Sequence, residues 1–322
     1  MPTVLSGIQP SGQLHLGNWA GAIRQFVDLQ RDHDLFVFVA SYHALTTTRG
    51  EELRSATRQV VIDYLAFGLD PHRAHIYLQQ DVPEVTELAW ILSCVCPKHL
   101  MDKAVSFKDK VARGLSASVG LYTYPILQAA DILIVDADLV PVGKDQVQHI
   151  EITRDLAAKF NHHSGQEVFK LPDYRLAEHA QVLPGVDGEK MSKSYGNTID
   201  PFMEEKALRK RIMKIVTDPT PQEEPKNPES CTVFQIFQGV TGAGDPRSQA
   251  LADRYRAGGM GYGHAKQDLY ELLMDTFSEA RQRRAQLMAH PAQVDEVLAM
   301  GAAAARERAA QVMARVRSAA GL

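Results

Sequence analysis

The sequence predicts a doubly wound α/β domain with a parallel sheet, followed by a mainly helical C-terminal domain. Three observations predict it: short apolar runs alternate with helical spacing in the first half, a proline- and glycine-marked stretch follows, and helix formers fill the end of the chain. Residues 35–40 form a continuous apolar run, rich in aromatic and β-branched side chains, as in strands buried on both faces. Over residues 51–67 helical spacing puts Leu53, Val60, Val61, Tyr64 and Leu65 toward one side, and Gly68 follows. Ile76, Tyr77 and Leu78 read as the next strand, and residues 132–135 are another apolar run, ahead of Asp136 and Asp138. Residues 18–31 read as a helix with Asn18 as its N-cap and Ile23, Phe26 and Val27 facing inward.

The second half differs. Residues 218–230 carry Pro219, Pro221, Pro225 and Pro228 among several charges and read as a solvated loop. Residues 258–263 are a glycine-rich connection. From 266 to 319 nearly every residue is a helix former, with Pro291 and Gly301 as the clearest interruptions. A helical domain is therefore expected from about residue 200.

The chain has 322 residues, 45% of them apolar and 23% charged, which excludes a disordered chain, a collagen-like repeat and a disulfide miniprotein. No apolar stretch reaches the roughly 18–20 residues that span a bilayer. The start lacks a basic segment ahead of an apolar run, so no secretory signal is expected. Cys94, Cys96 and Cys231 cannot build a disulfide framework and predict a reduced, cytoplasmic chain. With a net charge of −4, any nucleic acid must be held by local patches.

Two motifs carry chemistry. Residues 6–18 run from a short apolar strand through Gly7, Gly12 and Gly17, with Ser11 and His15, into the helix start at Asn18. Glycines let a backbone approach a ligand closely, and a helix N-terminus offers free N–H groups and a positive dipole end to phosphate. His15 is placed to donate to a phosphate oxygen. A tight β-to-α turn with a surface histidine accounts for the motif alone equally well. The second motif is Glu189-Lys190-Met191-Ser192-Lys193-Ser194-Tyr195-Gly196-Asn197. Lysines on a loop can close over a polyphosphate and neutralise the charge that develops as pyrophosphate leaves. A solvated basic turn is the commoner reason for a lysine pair. Both motifs at this separation in one α/β chain shift the balance toward chemistry.

On these residues the chain resembles the class I aminoacyl-tRNA synthetases, and within them the bacterial tryptophanyl branch. His15-Leu16-Gly17-Asn18 matches the family's first signature, and Lys190-Met191-Ser192-Lys193-Ser194 its second without a change. The likeness continues through Ser41-Tyr42-His43-Ala44, Phe107-Lys108-Asp109-Lys110, and residues 124–133, 140–149 and 153–156. The resemblance implies a Rossmann-type catalytic domain over 1–200, including a dimer-forming insertion at about 75–135 and a mobile loop at 188–197. It implies a helical region over 201–322 that binds the tRNA anticodon.

The implied activity is ATP-dependent formation of tryptophanyl-adenylate and transfer to tRNA(Trp), by a homodimer, with Mg²⁺ accompanying ATP. Gln9, Pro10, Ser11, Gly17 and Asn18 would line the ATP site. Gly143, Lys144 and Asp145 would reach the adenosine, and Val182 the adenine. Lys190, Met191, Ser192, Lys193 and Ser194 would clamp the pyrophosphate end. His15, Lys110, Lys190 and Lys193 would be catalytic. Asp131 would accept the indole N–H, with His43, Tyr124, Gln146, Val140, Val142 and Leu5 around the amino acid. Four positions depart from the family pattern: Leu5 for phenylalanine, Ser41 for the acid before His43, Gln128 for methionine, and Lys144 for an acidic residue.

Tyrosyl specificity on the same fold, or a non-charging paralogue that only binds RNA, are the alternatives. A small nucleotidyltransferase would share the first signature but lack the second and the helical half.

Weaker signals have plainer readings. Lys206, Arg209, Lys210, Arg211 and Lys214 suit tRNA phosphates or a solvated helix face equally. Arg306, Arg308, Arg315 and Arg317 read as ordinary helix surface. Cys94 and Cys96 near His99 read as buried core thiols rather than metal ligands. Cys231 stands alone in its region, so no iron–sulfur cluster and no resident metal are expected. His162 and His163 read as surface residues.

Overall fold

The computed structural model describes residues 1–102, 114, 116–176, 182–242 and 244–322. The chain forms two compact units. The first is Met1–Gly12, Phe26–Ala177 and Leu287–Leu322; the second is Gln13–Gln25 and Glu178–Gln286. This division differs from the single boundary near residue 200 that the sequence suggests, because the chain's last helix folds with the sheet.

In the first unit five strands, β1 (Thr3–Ile8), β2 (Asp34–Val39), β3 (Ala74–Leu78), β4 (Leu139–Val142) and β5 (Asp173–Leu176), form one sheet in the order β3-β2-β1-β4-β5. Each neighbouring pair is parallel. The order reverses between β1 and β4, and in doubly wound sheets ligands bind outside the carboxyl ends of the strands at such a reversal. The helix Gly50–Ala66 buries Val60, Val61, Tyr64 and Leu65, as the spacing predicts, and Gly68 ends it at φ 108°.

The apolar run at 132–135 is not a strand of its own: it closes the helix Val119–Leu133. That helix buries Ile126, Ala129, Ala130, Asp131, Ile132 and Leu133, nearly consecutive positions, so it is enclosed on most sides and its pattern loses the 3.6 period.

The final helix, Pro291–Ala320, runs unbroken through Gly301. Gly301 is a close approach rather than an interruption, because a Cβ there would collide with the backbone of Ile76 in β3. Ala302, Ala305, Ala309, Val312, Met313 and Val316 then join the core around Phe36, Phe38 and Tyr77. The four arginines read as idle surface instead tie this helix down. Arg308 reaches Asp34 at 3.0 Å and lies over the Phe36 ring. Arg315 pairs with Asp136 at 2.7 Å, Arg317 with Glu87 at 2.8 Å, and Arg306 with the Asp81 carbonyl.

In the second unit the helices Glu205–Met213, Thr232–Thr241, Pro246–Ala257 and Tyr262–Thr276 follow one another. The proline-rich stretch at 218–230 is not simply solvated. It wraps the buried Lys226, whose Nζ donates to the carbonyls of Pro221 (2.7 Å), Gln222 (3.1 Å) and Glu224 (3.0 Å). An ammonium taken out of water needs such acceptors, and three backbone carbonyls from one turn supply them.

Cys94 also departs from its reading as a core thiol. It is exposed, on the same face as Trp90 four residues earlier in the helix Glu84–Val95, while Cys96 is half-buried and Cys231 buried. Among the described residues no helix is long and apolar enough to cross a membrane.

Candidate active site

In the first unit, three strands deliver polar residues at their carboxyl ends. Gln9 follows β1, His43 follows β2 in the short helix Ser41–Ala44, and Gln79 follows β3. His43 and Gln79 meet Asp131, which the helix Val119–Leu133 projects into the core with 3% of its surface exposed. His43 Nε2 lies 2.8 Å from Asp131 Oδ2. Gln79 Nε2 donates to both carboxylate oxygens, at 2.8 and 2.9 Å. The Gln79 carbonyl in turn accepts from the backbone N–H of Tyr42 at 2.8 Å, and Gln9 Nε2 donates to the His43 carbonyl at 3.1 Å. Burial raises the Asp131 pKa, and the hydrogen bonds from His43 and Gln79 oppose it. Oδ1 accepts only from Gln79 among the described residues, so it keeps a lone pair for a further donor.

Beside this pair, the Tyr124 ring stands edge-on to His43 with centroids 6.2 Å apart, and its hydroxyl lies 2.9 Å from Nε2 of the buried His149. Leu5, Val140 and Val142 are buried, and Gln146 is half-buried at the start of the helix Val147–Ser164. Gly143, Lys144 and Asp145 follow β4 and are exposed.

In the second unit, His15 rather than Asn18 is the residue that begins the helix. Its backbone is extended (φ −126°, ψ 171°), and Asn18 sits inside the first turn, where its Oδ1 accepts the His15 N–H at 3.1 Å. The Leu16 N–H donates to the Ile199 carbonyl at 2.8 Å. His15 is buried, and its Nδ1 meets no protein partner among the described residues. Gly17 leaves room for that ring, since a Cβ there would come 3.1 Å from it.

The lysine loop is a folded hairpin. Pro184 and Lys190 bridge its arms, and the Met191 N–H donates to the Leu183 carbonyl at 2.9 Å. Buried Asn197 ties the turn: its Oδ1 accepts the Ser192 N–H at 2.8 Å, and its Nδ2 donates to Asp187 at 2.8 Å and to the Lys190 carbonyl at 3.1 Å. Lys193 opens a short 3₁₀ turn that Gly196 closes at φ 62°, and Arg211 holds the carbonyls of Gly196 and Thr198. Burial, and after it the positive charge of Lys193, pushes the His15 imidazole down to about 4.

Residues 1–278 match the family of class I tRNA synthetases (W and Y). The chain belongs to that family. As a class I synthetase it is 47% identical over 325 residues to the tryptophan–tRNA ligase of Fusobacterium nucleatum, covering 100% of this chain and 98% of that one. Against the Rhodopirellula baltica tryptophan–tRNA ligase it is 49% identical, covering 99% of both. Its structure superposes with TM-score 0.92 on the Campylobacter jejuni tryptophanyl-tRNA synthetase complexed with ADP and tryptophan, at 48% identity, covering 99% of this chain and 100% of that chain.

Within each unit, the synthetase gathers residues that lie far apart in sequence. Asp131, His43 and Tyr124 meet in the first unit; His15 and the lysine loop belong to the second. Lys110 falls outside the described residues, and Val182 is 66% exposed. Ser41, one of the departures, contacts the Gln80 side chain. Of the basic run, Arg211 serves the lysine loop and Arg209 reaches Gln267 at 3.2 Å, whereas Lys206 and Lys210 are exposed. Sequence reasoning missed Gln79, His149 and Asn197 as site residues. Gln79 had one available signal, a polar residue at the carboxyl end of a parallel strand.

His15 carries a pH prediction. A histidine titrates near 6.5 when unfolded and near 4 here, so between those values the unfolded state binds more protons. The contribution of the neutral buried ring is whole above pH 6.5 and is lost as pH falls toward 4. His15→Gln is expected to flatten the decline of stability across that window. Urea midpoints taken from pH 4 to 7 measure it, and equal slopes in variant and wild type contradict it.

Proposed function

We infer that this synthetase activates L-tryptophan with ATP and passes it to tRNA(Trp). It is a tryptophan–tRNA ligase. One observation carries this: a full-length likeness, at 48% identity, to a synthetase solved with ADP and tryptophan.

The first half-reaction joins the amino-acid carboxylate to the α-phosphate of ATP and releases pyrophosphate. The carboxylate is already an anion at neutral pH, so no general base is needed. Two negative reactants must be aligned and the shifting charge stabilised. In the first unit we assign Gln9, Pro10, Ser11, Gly143, Lys144 and Asp145 to the nucleotide. Asp131 takes the indole N–H, with Leu5, His43, Tyr124, Gln146, Val140 and Val142 around the amino acid.

In the second unit we assign Gly17, Asn18 and Val182 to ATP, His15 as a neutral donor, and Lys190 to Ser194 to the leaving pyrophosphate. Lys110 is a further phosphate ligand by resemblance. Among the described residues no group of three or more His, Cys, Asp or Glu side chains could hold a metal ion. A Mg²⁺ ion accompanying ATP would be carried on the nucleotide's own phosphates, as this ion commonly is.

The second half-reaction esterifies the 2′-hydroxyl of the terminal adenosine of tRNA in the cytoplasm, with the helical region beyond residue 200 at the anticodon. The exposed Trp90 suits a homodimer face. Sedimentation at micromolar concentration tests that face, and a lone monomer contradicts it.

ATP–pyrophosphate exchange with tryptophan and tyrosine in parallel tests the function. Label is expected to cycle with tryptophan alone. Exchange with tyrosine instead marks tyrosyl specificity, and none with either marks a non-charging paralogue.

A further inference from the structure

We propose that Gln79 is a positioning residue for tryptophan selection, holding the Asp131 carboxylate so that one oxygen faces the substrate's indole N–H. The inference rests on the reading of Asp131 as that acceptor and adds the part that aims it.

Gln79 is 1% exposed, in the turn that follows β3, and its amide makes contacts at both ends. The nitrogen donates to Oδ1 at 2.8 Å and Oδ2 at 2.9 Å of Asp131, fixing the rotation of the carboxylate. The oxygen accepts the N–H groups of Tyr42 at 2.8 Å and His43 at 3.4 Å, fixing the turn that presents the His43 ring. That ring sits 2.8 Å from Asp131 Oδ2. One side chain thus holds the carboxylate directly and also through its other partner. Oδ2 meets both Gln79 and His43, while among the described residues Oδ1 meets Gln79 alone, so the arrangement leaves Oδ1 for another donor. Without Gln79 the buried carboxylate keeps the His43 contact at Oδ2 but loses the donor that holds Oδ1, and the backbone N–H of Tyr42 loses its acceptor.

The test compares two substrates in ATP–pyrophosphate exchange: L-tryptophan, and β-(3-benzothienyl)-L-alanine, in which sulfur replaces the indole N–H. Wild type is expected to prefer tryptophan by about tenfold or more in kcat/KM, since its acceptor goes unpaired with the analogue. Gln79→Leu is expected to reduce that preference by about tenfold through the KM for tryptophan, with kcat within about twofold. Gln79→Met, unbranched and close in volume, repeats the measurement if the leucine variant does not fold.

An equal loss with both substrates means a merely structural side chain and overturns the proposal. An unchanged preference in a folded variant, with wild type still discriminating, overturns it while leaving Asp131 as the acceptor. A wild type that does not discriminate overturns the reading of Asp131, and Gln79's part with it.

Discussion

Asp131→Asn is expected to lower kcat/KM for tryptophan activation by about a hundredfold, mainly through KM, in a protein that still folds. The carboxylate is an acceptor at both oxygens, and Gln79 Nε2 donates to each. An asparagine must turn its NH₂ toward one of those positions. At the Oδ2 position it sets donor against the Gln79 amide beside His43; at the Oδ1 position it sets donor against both Gln79 and the indole N–H. A hydrogen bond to a charged group contributes about 1.5–3 kcal/mol, and an unpaired buried donor adds its own desolvation cost. Pyrophosphate exchange across a range of tryptophan concentrations measures the effect, with thermal melts as the folding control. An unchanged KM in a folded variant removes Asp131 from the indole site.

Lys193→Ala is expected to slow adenylate formation by about tenfold or more while tryptophan affinity stays within about twofold. Lys193 belongs to the second unit, and the residues around Asp131 belong to the first. Its positive charge lowers the His15 pKa, so it acts on the other signature motif of the same unit. Charge placed where pyrophosphate leaves lowers the barrier only as that charge develops, which leaves ground-state binding of the amino acid little changed. Stopped-flow activation reads the rate, and equilibrium titration reads the affinity. A normal activation rate contradicts the role.

Much of the first unit was legible because β1, β2 and β3 are apolar runs and the helix Gly50–Ala66 keeps its period. β4 was not: it has four residues and contains Pro141, which argues against a strand in the middle of a sheet. The structure reconciles this, because β4 pairs with β1 only through Val4 and Leu139, and Pro141 lies beyond that shared rung. β5 is short and exposed throughout, with no alternation to find.

The two signature motifs were legible as strings, but the parts that shape them were not. Gln79 lies 52 positions from Asp131, and Asn197 acts through backbone groups on both arms of its own hairpin. Polar side chains of this kind have no periodicity; their partners are set by the fold. The closing arginines show the same limit, since spacing along a helix does not reveal that Asp34, Asp136 and Glu87 await them.

The seat of Pro291–Ala320 against β3 bears on how the protein is born. β3 lies at one margin of the sheet, with β2 on a single side, and the segment that covers its backbone, at Gly301, is made long after Ile76. At roughly 5–20 residues per second, a ribosome needs about 11–45 s to pass from Ile76 to Gly301. The nascent polypeptide therefore carries an open strand margin and uncovered apolar surface through that interval, the condition under which chaperone capture competes with self-association.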